Sequence, residues 1–150
     1  MVNKSLILIL VAVSMNSFAD EIEKPLKVDY CTVAENPQLY DGKVIEIHAS
    51  QVKLKKNEWG LDSGICLSVF LLVLPKDINP PPQFAIKETP ALTELLESRN
   101  EMRASVRADF IGRFDWAGTD KKKRFGRSKE SMRFVLQSVS NPIKVILPYK

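Results

Sequence analysis

Apolar and polar residues alternate along several stretches of the chain, and this pattern predicts a mainly β protein. The clearest stretch follows a turn signal at Gly42, where Ile45, Ile47 and Ala49 alternate with residues that would face the other way. Period-two alternation directly after a turn is typical of a strand with one buried face. We therefore predict a long first strand over Lys43–Lys55.

The apolar positions change phase within this first strand, because Val52 and Leu54 fall on the opposite parity from Ile47. A one-residue shift in a period-two pattern is typical of a β-bulge, which bends a strand and increases its twist. The pattern predicts such a bulge near Ala49–Gln51.

Further apolar or alternating runs, bounded by turn residues, predict four more strands. They are Trp59–Leu61, Ile65–Leu74, Arg103–Trp116 and Ser131–Ser140. We expect Asn141-Pro142 to end the last of them, because proline cannot donate to a strand ladder.

Two helical segments are expected beside the strands. The first is a short helix or a turn over Cys31–Gln38, with Thr32 as its candidate cap and Pro37 stopping regular helix. The second covers Pro90–Asn100, where Thr89 is placed to cap the helix and proline suits the first turn.

Five strands, a long bent first strand and a helix between the third and fourth strands have the element order of the oligonucleotide/oligosaccharide-binding barrel, the OB-fold. The predicted fold class is thus a five-stranded OB-fold-like barrel, mainly β, with a short N-terminal helix. Four segments also resemble the blocks of small exported bacterial OB-fold-like proteins of uncharacterised function. These segments are CTVAENPQLYDGKVIEIHA, WGLDSGIC, ADFIGRFD and FVLQSVSN. The resemblance implies a barrel and an exported location, and it implies no reaction.

The start of the chain has the regions of a secretory signal peptide. Lys4 gives a positive start, Leu6–Val13 forms an apolar core, and small residues at Ser17 and Ala19 precede a cleavage site. No other apolar run reaches the roughly 20 residues that a membrane span needs. We expect cleavage after Ala19 and a periplasmic or secreted protein with no integral membrane segment.

The expected organisation is a signal peptide over residues 1–19, an N-terminal arm over residues 20–30 and one OB-fold-like domain over residues 31–150. The arm is charged and interrupted by proline over Asp20–Val28. Terminal segments of this kind are usually held loosely.

Cys31 and Cys66 are the two cysteines of the chain. In an oxidising compartment an even count predicts one disulfide, and the alternative is two buried free thiols. A zinc site is disfavoured, because two sulfurs and the single histidine leave its four-ligand shell incomplete. No cofactor is predicted.

Positive charge is concentrated late in the chain. Lys and Arg total 22 against 18 Asp and Glu, and acidic residues outnumber basic ones from Asp20 to Ser98 whereas basic residues outnumber acidic ones from Arg99 onward. OB-folds place the first-to-second and fourth-to-fifth connections at the same edge of the binding face. Basic and aromatic residues occupy both connections: Lys53, Lys55, Lys56 and Trp59 in the first, and Trp116, Lys121, Lys122, Lys123, Arg124, Phe125 and Arg127 in the second.

Cationic side chains neutralise phosphates or carboxylates and aromatic rings stack on bases or sugars, so these two connections suit an anionic polymer. The alternative is a solvated loop whose aromatic residues belong to the core. His48 has no carboxylate or thiol partner near it in the sequence, and we expect a structural or surface imidazole rather than a catalytic base. Carboxylate pairs such as Asp115 with Asp120 are common in chains of this composition, and no catalytic residue is predicted.

The resulting hypothesis is an exported, non-catalytic binding or accessory module. Its ligand would be an anionic polymer or surface, meaning nucleic acid, acidic glycan or lipopolysaccharide. The alternative hypothesis is a protein-interaction module of the cell envelope, such as an assembly factor or a toxin inhibitor.

Overall fold

The computed structural model describes residues 24–148, and its centre is one six-stranded sheet. The strands are β1 (Leu26–Lys27), β2 (Val44–Lys55), β3 (Glu58–Asp62), β4 (Phe70–Val73), β5 (Ala104–Trp116) and β6 (Met132–Ile146). The helices are α1 (Tyr30–Glu35), α2 (Pro37–Tyr40) and α3 (Pro90–Glu97), with short 3-10 turns at Pro75–Asp77, Ser98–Asn100 and Lys121–Lys123. The predicted signal peptide over residues 1–19 lies outside the described residues.

Five of the strands form a ring. Hydrogen-bonded neighbours follow the order β2, β3, β4, β6 and β5, and β5 pairs again with β2. β4 and β6 run parallel, whereas the other pairings of the ring are antiparallel. The predicted mainly β class is confirmed, and α3 lies between β4 and β5 in the chain as expected. None of the helices in residues 24–148 has both the length and the apolar character that a membrane crossing needs.

Strand β2 buries one face, as its alternation predicts. The buried residues of its first half are Ile45, Ile47 and Ala49. The register between β2 and β5 runs without a shift over Val44–Ser50, so the predicted bulge near Ala49–Gln51 is wrong. The register of β2 shifts further on, between Lys53 and Lys55, where it pairs with β3.

A buried glutamine explains the change of phase that resembled a bulge. Gln51 takes the next inward-facing position of β2 and is only 3% exposed. Its Nε2 donates to the Leu95 carbonyl oxygen (3.1 Å) and to Ser98 Oγ (3.2 Å), and its Oε1 accepts from Arg99 Nε (2.8 Å). Because these bonds satisfy the buried amide, a polar residue can continue the core face of the strand.

Strand β4 is shorter than predicted, and the first half of the proposed strand Ile65–Leu74 is wrong. The Ser63 hydroxyl oxygen accepts hydrogen bonds from the backbone N–H groups of Ile65 (3.1 Å) and Cys66 (3.2 Å), which curls the chain into a turn. Ile65 and Leu67 are 87% and 104% exposed, so these apolar side chains point into solvent instead of the core.

The N-terminal helical region is two short helices rather than one. Asp29 caps α1, since its carboxylate accepts from the Thr32 backbone N–H (3.0 Å), and the predicted cap at Thr32 is wrong. Pro37 begins α2 instead of stopping the helix, in the first-turn position that proline favours. Leu26 and Lys27 pair in parallel with β2, so the N-terminal arm is held to the sheet at these residues.

The second predicted helix is confirmed. The Thr89 hydroxyl accepts from the Leu92 N–H (3.2 Å), and α3 with its following 3-10 turn covers Pro90–Asn100. The last strand does not end at Asn141-Pro142 as predicted, because β6 continues to Ile146 in pairing with β5. Asn141 takes φ of 51°, a left-handed conformation that asparagine tolerates better than most residues.

The ring encloses an aromatic cluster that also anchors α1. The Tyr30 ring stacks on Phe70 with centroids 4.1 Å apart, and Phe70 meets Phe114 edge-on at 5.1 Å. The Tyr30 hydroxyl donates to the Leu61 carbonyl oxygen at 2.5 Å. Burial raises the pKa of Tyr30, so the hydroxyl stays protonated and keeps donating at neutral pH.

Gly112 lies in β5 where the position of a side chain is occupied by the backbone of β6. A Cβ atom at this position would overlap the Val135 carbonyl oxygen and lie 2.6 Å from the Phe134 ring. The register between the two strands also shifts beside Gly112. Glycine is therefore required here by backbone contact.

We expect Gly112→Ala to lower the free energy of unfolding by about 3 kcal/mol, the upper part of the range for overpacked sites. Gly118→Ala is the matched control: it adds the same methyl group in open space at φ +72°, at an expected cost of about 1 kcal/mol from the left-handed backbone. Equilibrium urea unfolding compares the two. Equal losses would contradict a steric role for Gly112.

The predicted disulfide between Cys31 and Cys66 is confirmed, with Cα atoms 5.8 Å apart. It joins α1 to the turn before β4 and spans a sequence separation of 35 residues. Fixing this separation in the unfolded chain reduces its conformational entropy.

Replacing both cysteines with serine should lower the free energy of unfolding by about 4 kcal/mol, the loop-entropy value for this separation. Urea unfolding of the oxidised protein, the reduced protein and the double variant measures the effect. The reduced protein and the double variant should agree. A double variant as stable as the oxidised protein would exclude this contribution.

Candidate functional site

The turn between β2 and β3 contacts the long loop between β5 and β6. Lys55 Nζ donates to the Arg127 carbonyl oxygen at 3.1 Å. The structure thus brings together the two connections that carry the predicted binding residues. We call the surface formed by their cationic side chains the basic edge; its members are Lys53, Lys55, Lys56, Lys121, Lys122, Lys123, Arg124 and Arg127, all exposed.

Glu58 holds the two connections together. Its Oε1 accepts from the backbone N–H groups of Arg127 (2.6 Å) and Ser128 (3.2 Å), and its Oε2 accepts from the Ser128 hydroxyl (3.2 Å). Burial raises the pKa of nearby Glu130, with Arg124 opposing the rise and Glu58 adding to it. The hydrogen bonds to the Glu58 carboxylate therefore fix the path of the β5–β6 loop at Arg127 and Ser128.

The lysine tract in this loop forms one 3-10 turn. The Asp120 carboxylate caps it by accepting from the Lys122 backbone N–H at 2.9 Å. Successive residues of a 3-10 turn point about 120° apart, so the three lysines spread their charges around the turn. Phe125 and Glu130 exchange two backbone hydrogen bonds of 2.8 and 3.0 Å, which closes the tip of the loop.

The three predicted aromatic residues are half-buried and already have contacts in the fold. Trp116 packs against the core cluster. The Arg99 guanidinium lies 5.2 Å from the centroid of the Trp59 ring, and that of Arg133 lies 4.3 Å from the centroid of Phe125. Each ring contributes to packing or to a cation–π contact. The exposed chemistry of the basic edge is therefore charge rather than aromatic surface.

Arg99 is a site residue that sequence reasoning missed. A pocket of about 360 Å³ beside the basic edge is lined by Trp59, Asp77, Arg99 and Arg127 among others. Arg99 Nε donates to Gln51, whereas its buried Nη2 has no hydrogen-bond partner among the described residues. Burial lowers the pKa of Arg99 to about 10, against the opposing charge of Asp77, so it stays cationic at neutral pH.

The carboxylates considered as a catalytic pair have separate roles in the fold. Asp115 accepts from the Arg113 guanidinium (2.7 and 3.1 Å) and from the Arg133 guanidinium (3.0 and 2.7 Å). The hydrogen bond to Asp115 raises the pKa of Arg113. Asp120 instead caps the lysine turn, so the two carboxylates serve two different structural contacts.

His48 has a carboxylate partner that its own neighbourhood in the sequence does not reveal. The antiparallel pairing of β2 with β5 sets His48 opposite Asp109, and His48 Nδ1 lies 2.8 Å from Asp109 Oδ1. Asn141 Nδ2 donates to the other oxygen of Asp109 at 2.9 Å. The hydrogen bond from Asn141, followed by the bond and charge of His48, lowers the pKa of Asp109.

Neither a metal site among the described residues nor a known relative indicates the function of this chain. Over residues 24–148, no group of three or more His, Cys, Asp or Glu side chains is arranged to hold a metal ion. No family model, no curated protein and no solved structure matches the chain. Function is therefore inferred from contacts and charges.

Glu58→Ala should release the β5–β6 loop, because it removes the acceptor of two backbone N–H groups and one hydroxyl. We expect faster amide hydrogen exchange at Arg127 and Ser128 and a loss of about 2 kcal/mol in the free energy of unfolding. Glu88→Ala, at an exposed position, is the matched control. Unchanged exchange at both amides would contradict the role of Glu58.

Asn141→Gly should raise the pKa of Asp109, since it removes the bond that lowers this pKa most while keeping a residue suited to φ of 51°. The pKa of Asp109 is lower in the folded protein than in the unfolded chain, where it is about 3.9. Its carboxylate therefore stabilises the fold at pH values above about 3.9, and this stabilisation is lost as the pH falls through the folded pKa. The variant should therefore be destabilised at pH 7 and less so near pH 3.

Carboxyl NMR titration and urea unfolding at the two pH values measure this effect. His48→Gln should raise the pKa of Asp109 by a smaller amount, because the hydrogen bond from Asn141 lowers this pKa more than the one from His48 does. A stability loss in Asn141→Gly that is independent of pH would contradict the assignment.

Proposed function

We propose that this chain is an exported OB-fold protein that binds anionic polymers at the basic edge and has no catalytic role. The strand order β2, β3, β4, β6, β5 and back to β2 supports the fold, because it matches a five-stranded Greek-key barrel with one parallel pairing. The helix between β4 and β5 supports it further.

The disulfide supports an oxidising compartment. Bonds such as that between Cys31 and Cys66 persist in the periplasm and outside the cell, and are rare in the cytosol. The signal-peptide pattern of residues 1–19 is consistent with export. Nucleic acid, acidic glycan and lipopolysaccharide are all polyanions that an exported protein meets.

The contact between Lys55 and Arg127 is the observation that carries the ligand proposal. It merges two separate groups of cationic side chains into one exposed surface. A polymer with regularly spaced negative charges can contact several of these side chains at once and release its counterions, which a single small anion cannot do. Arg99 adds a half-buried cation at the neighbouring pocket.

A protein partner in the cell envelope is the second candidate function. Ile65 and Leu67 favour it, because both are almost fully exposed beside the disulfide that restrains Cys66. Exposed aliphatic side chains on a restrained turn are common at protein interfaces. A partner bound there would resist high salt, whereas a polyanion at the basic edge would dissociate.

Binding of heparin and of a 20-nucleotide single strand should weaken steeply with salt. With about five contacts, affinity for the single strand should fall roughly 100-fold between 50 and 200 mM salt. Replacing Lys121, Lys122 and Lys123 with glutamine should reduce the slope of log Kd against log salt by about 2. Fluorescence anisotropy of a labelled oligonucleotide measures its affinity, and competition with that oligonucleotide measures the affinity for heparin.

The charge-matched control replaces Lys24, Lys43 and Lys87 with glutamine, which removes three positive charges elsewhere on the chain. This control should retain the parent slope. Equal losses in the two triple variants would show attraction by net charge and would contradict a site at the basic edge. Salt-independent binding would also exclude the proposal.

A further inference from the structure

A second and larger groove lies on the outer side of the sheet. It has a volume of about 1120 Å³ and runs between the residues around β1, the beginning of β2 and the loop at Phe84–Lys87. Pockets for small ligands usually measure about 300–1,000 Å³, so this groove is large enough for a ligand with an extended chain. We call it the lysine-rimmed groove.

The floor of the groove is apolar although it faces away from the core. Ile45 is buried in the core, so its neighbour Val44 points to the outer face of β2. Ile111 pairs with Glu46 across the strands and shares that outer face. Both residues line the groove, together with Leu26, which is 54% exposed.

The loop at Phe84–Lys87 forms the facing wall. The Lys87 backbone N–H donates to the Gln137 carbonyl oxygen at 2.7 Å, which ties the loop to β6. Ile86 packs against the core cluster from this loop. The wall is therefore attached to the sheet at two points, and the groove is a formed feature of the fold.

The rim of the groove is positively charged. Lys24, Lys43 and Lys87 all line it and are exposed, and among the described residues no aspartate or glutamate does so. An apolar floor with a cationic rim complements a molecule that has an apolar chain and an anionic head. Gln137 adds a polar feature, since its buried Oε1 has no hydrogen-bond partner in the described part of the chain.

We propose that the lysine-rimmed groove binds an anionic lipid with a single acyl chain. The chain lies along Leu26, Val44 and Ile111, and the head pairs with the three lysines. A polyanion without an apolar part would leave the floor exposed to water, and a neutral detergent would leave the lysines unpaired.

This site differs from the basic edge in its residues and in requiring an apolar chain on its ligand. Lys43 precedes β2 and Lys55 is its last residue, and the rim of the groove and the basic edge have no residue in common. Variants in one group should leave the ligand of the other unaffected.

Isothermal titration calorimetry with myristoyl lysophosphatidylglycerol tests the proposal, below the micellar concentration of the lipid. Myristoyl lysophosphatidylcholine is the matched probe, since it has the same chain and no net charge. The parent protein should bind the anionic lipid at least 10-fold more tightly. Equal affinity for both lipids, or no binding of the anionic one, would overturn the proposal.

Two variants test the groove itself. Replacing Lys24, Lys43 and Lys87 with glutamine should weaken binding of the anionic lipid at least 10-fold and change the affinity for the zwitterionic lipid less than twofold. Ile111→Asp should weaken both lipids at least 10-fold, because it places a charge on the apolar floor. Circular dichroism checks its fold, and the exposed lysine variants remain decisive if Ile111→Asp does not fold.

The triple glutamine variant at Lys121, Lys122 and Lys123 is the control for this experiment. It should bind the anionic lipid within twofold of the parent. If it loses the lipid while the groove variant keeps it, the lipid binds at the basic edge and the proposal is overturned. Because each triple variant serves as the control for the other ligand, failure of one site is distinguishable from failure of the other.

Discussion

The pairing of β2 with β5 closes the strand ring, and the positions of both surface sites depend on it. The first half of β2, Val44–Ser50, pairs with β5, and its second half, Ser50–Lys55, pairs with β3. One strand can pair with two different neighbours along its length only if it is long and keeps the same face buried throughout. Gln51 maintains that face where the neighbours change, because hydrogen bonds satisfy its buried amide.

The ring also determines which charged groups meet. The β2–β3 turn and the β5–β6 loop come together at one end, where Lys55 and Glu58 bind the loop backbone. Glu58 offsets part of the positive charge that this contact concentrates. The beginning of β2, with Lys43, pairs with the end of β5 and lies beside the apolar side chains of Val44 and Ile111 that line the groove. The fold thus presents two groups of lysines in different surroundings, one on the exposed basic edge and one on the rim of an apolar groove.

Local patterns predicted those elements whose signals are local. The alternation in β2 and β5, the cap at Thr89 and the disulfide between Cys31 and Cys66 all agree with the structure. Errors occurred where hydrogen bonds between a side chain and the backbone override the apolar pattern. The apolar run beginning at Ile65 read as strand, but the Ser63 hydroxyl curls it into a turn whose aliphatic side chains are exposed.

The sequence by itself determined the class of the fold, the pairing of the cysteines and the basic character of two connections, because these follow from composition and short-range periodicity. Only the tertiary structure decided which residues share a site. Arg99 reaches Trp59, and His48 reaches Asp109, through contacts between residues 40 and 61 positions apart. Strand pairing creates such neighbours, and a period-two pattern indicates which face a side chain takes but not which strand lies beside it.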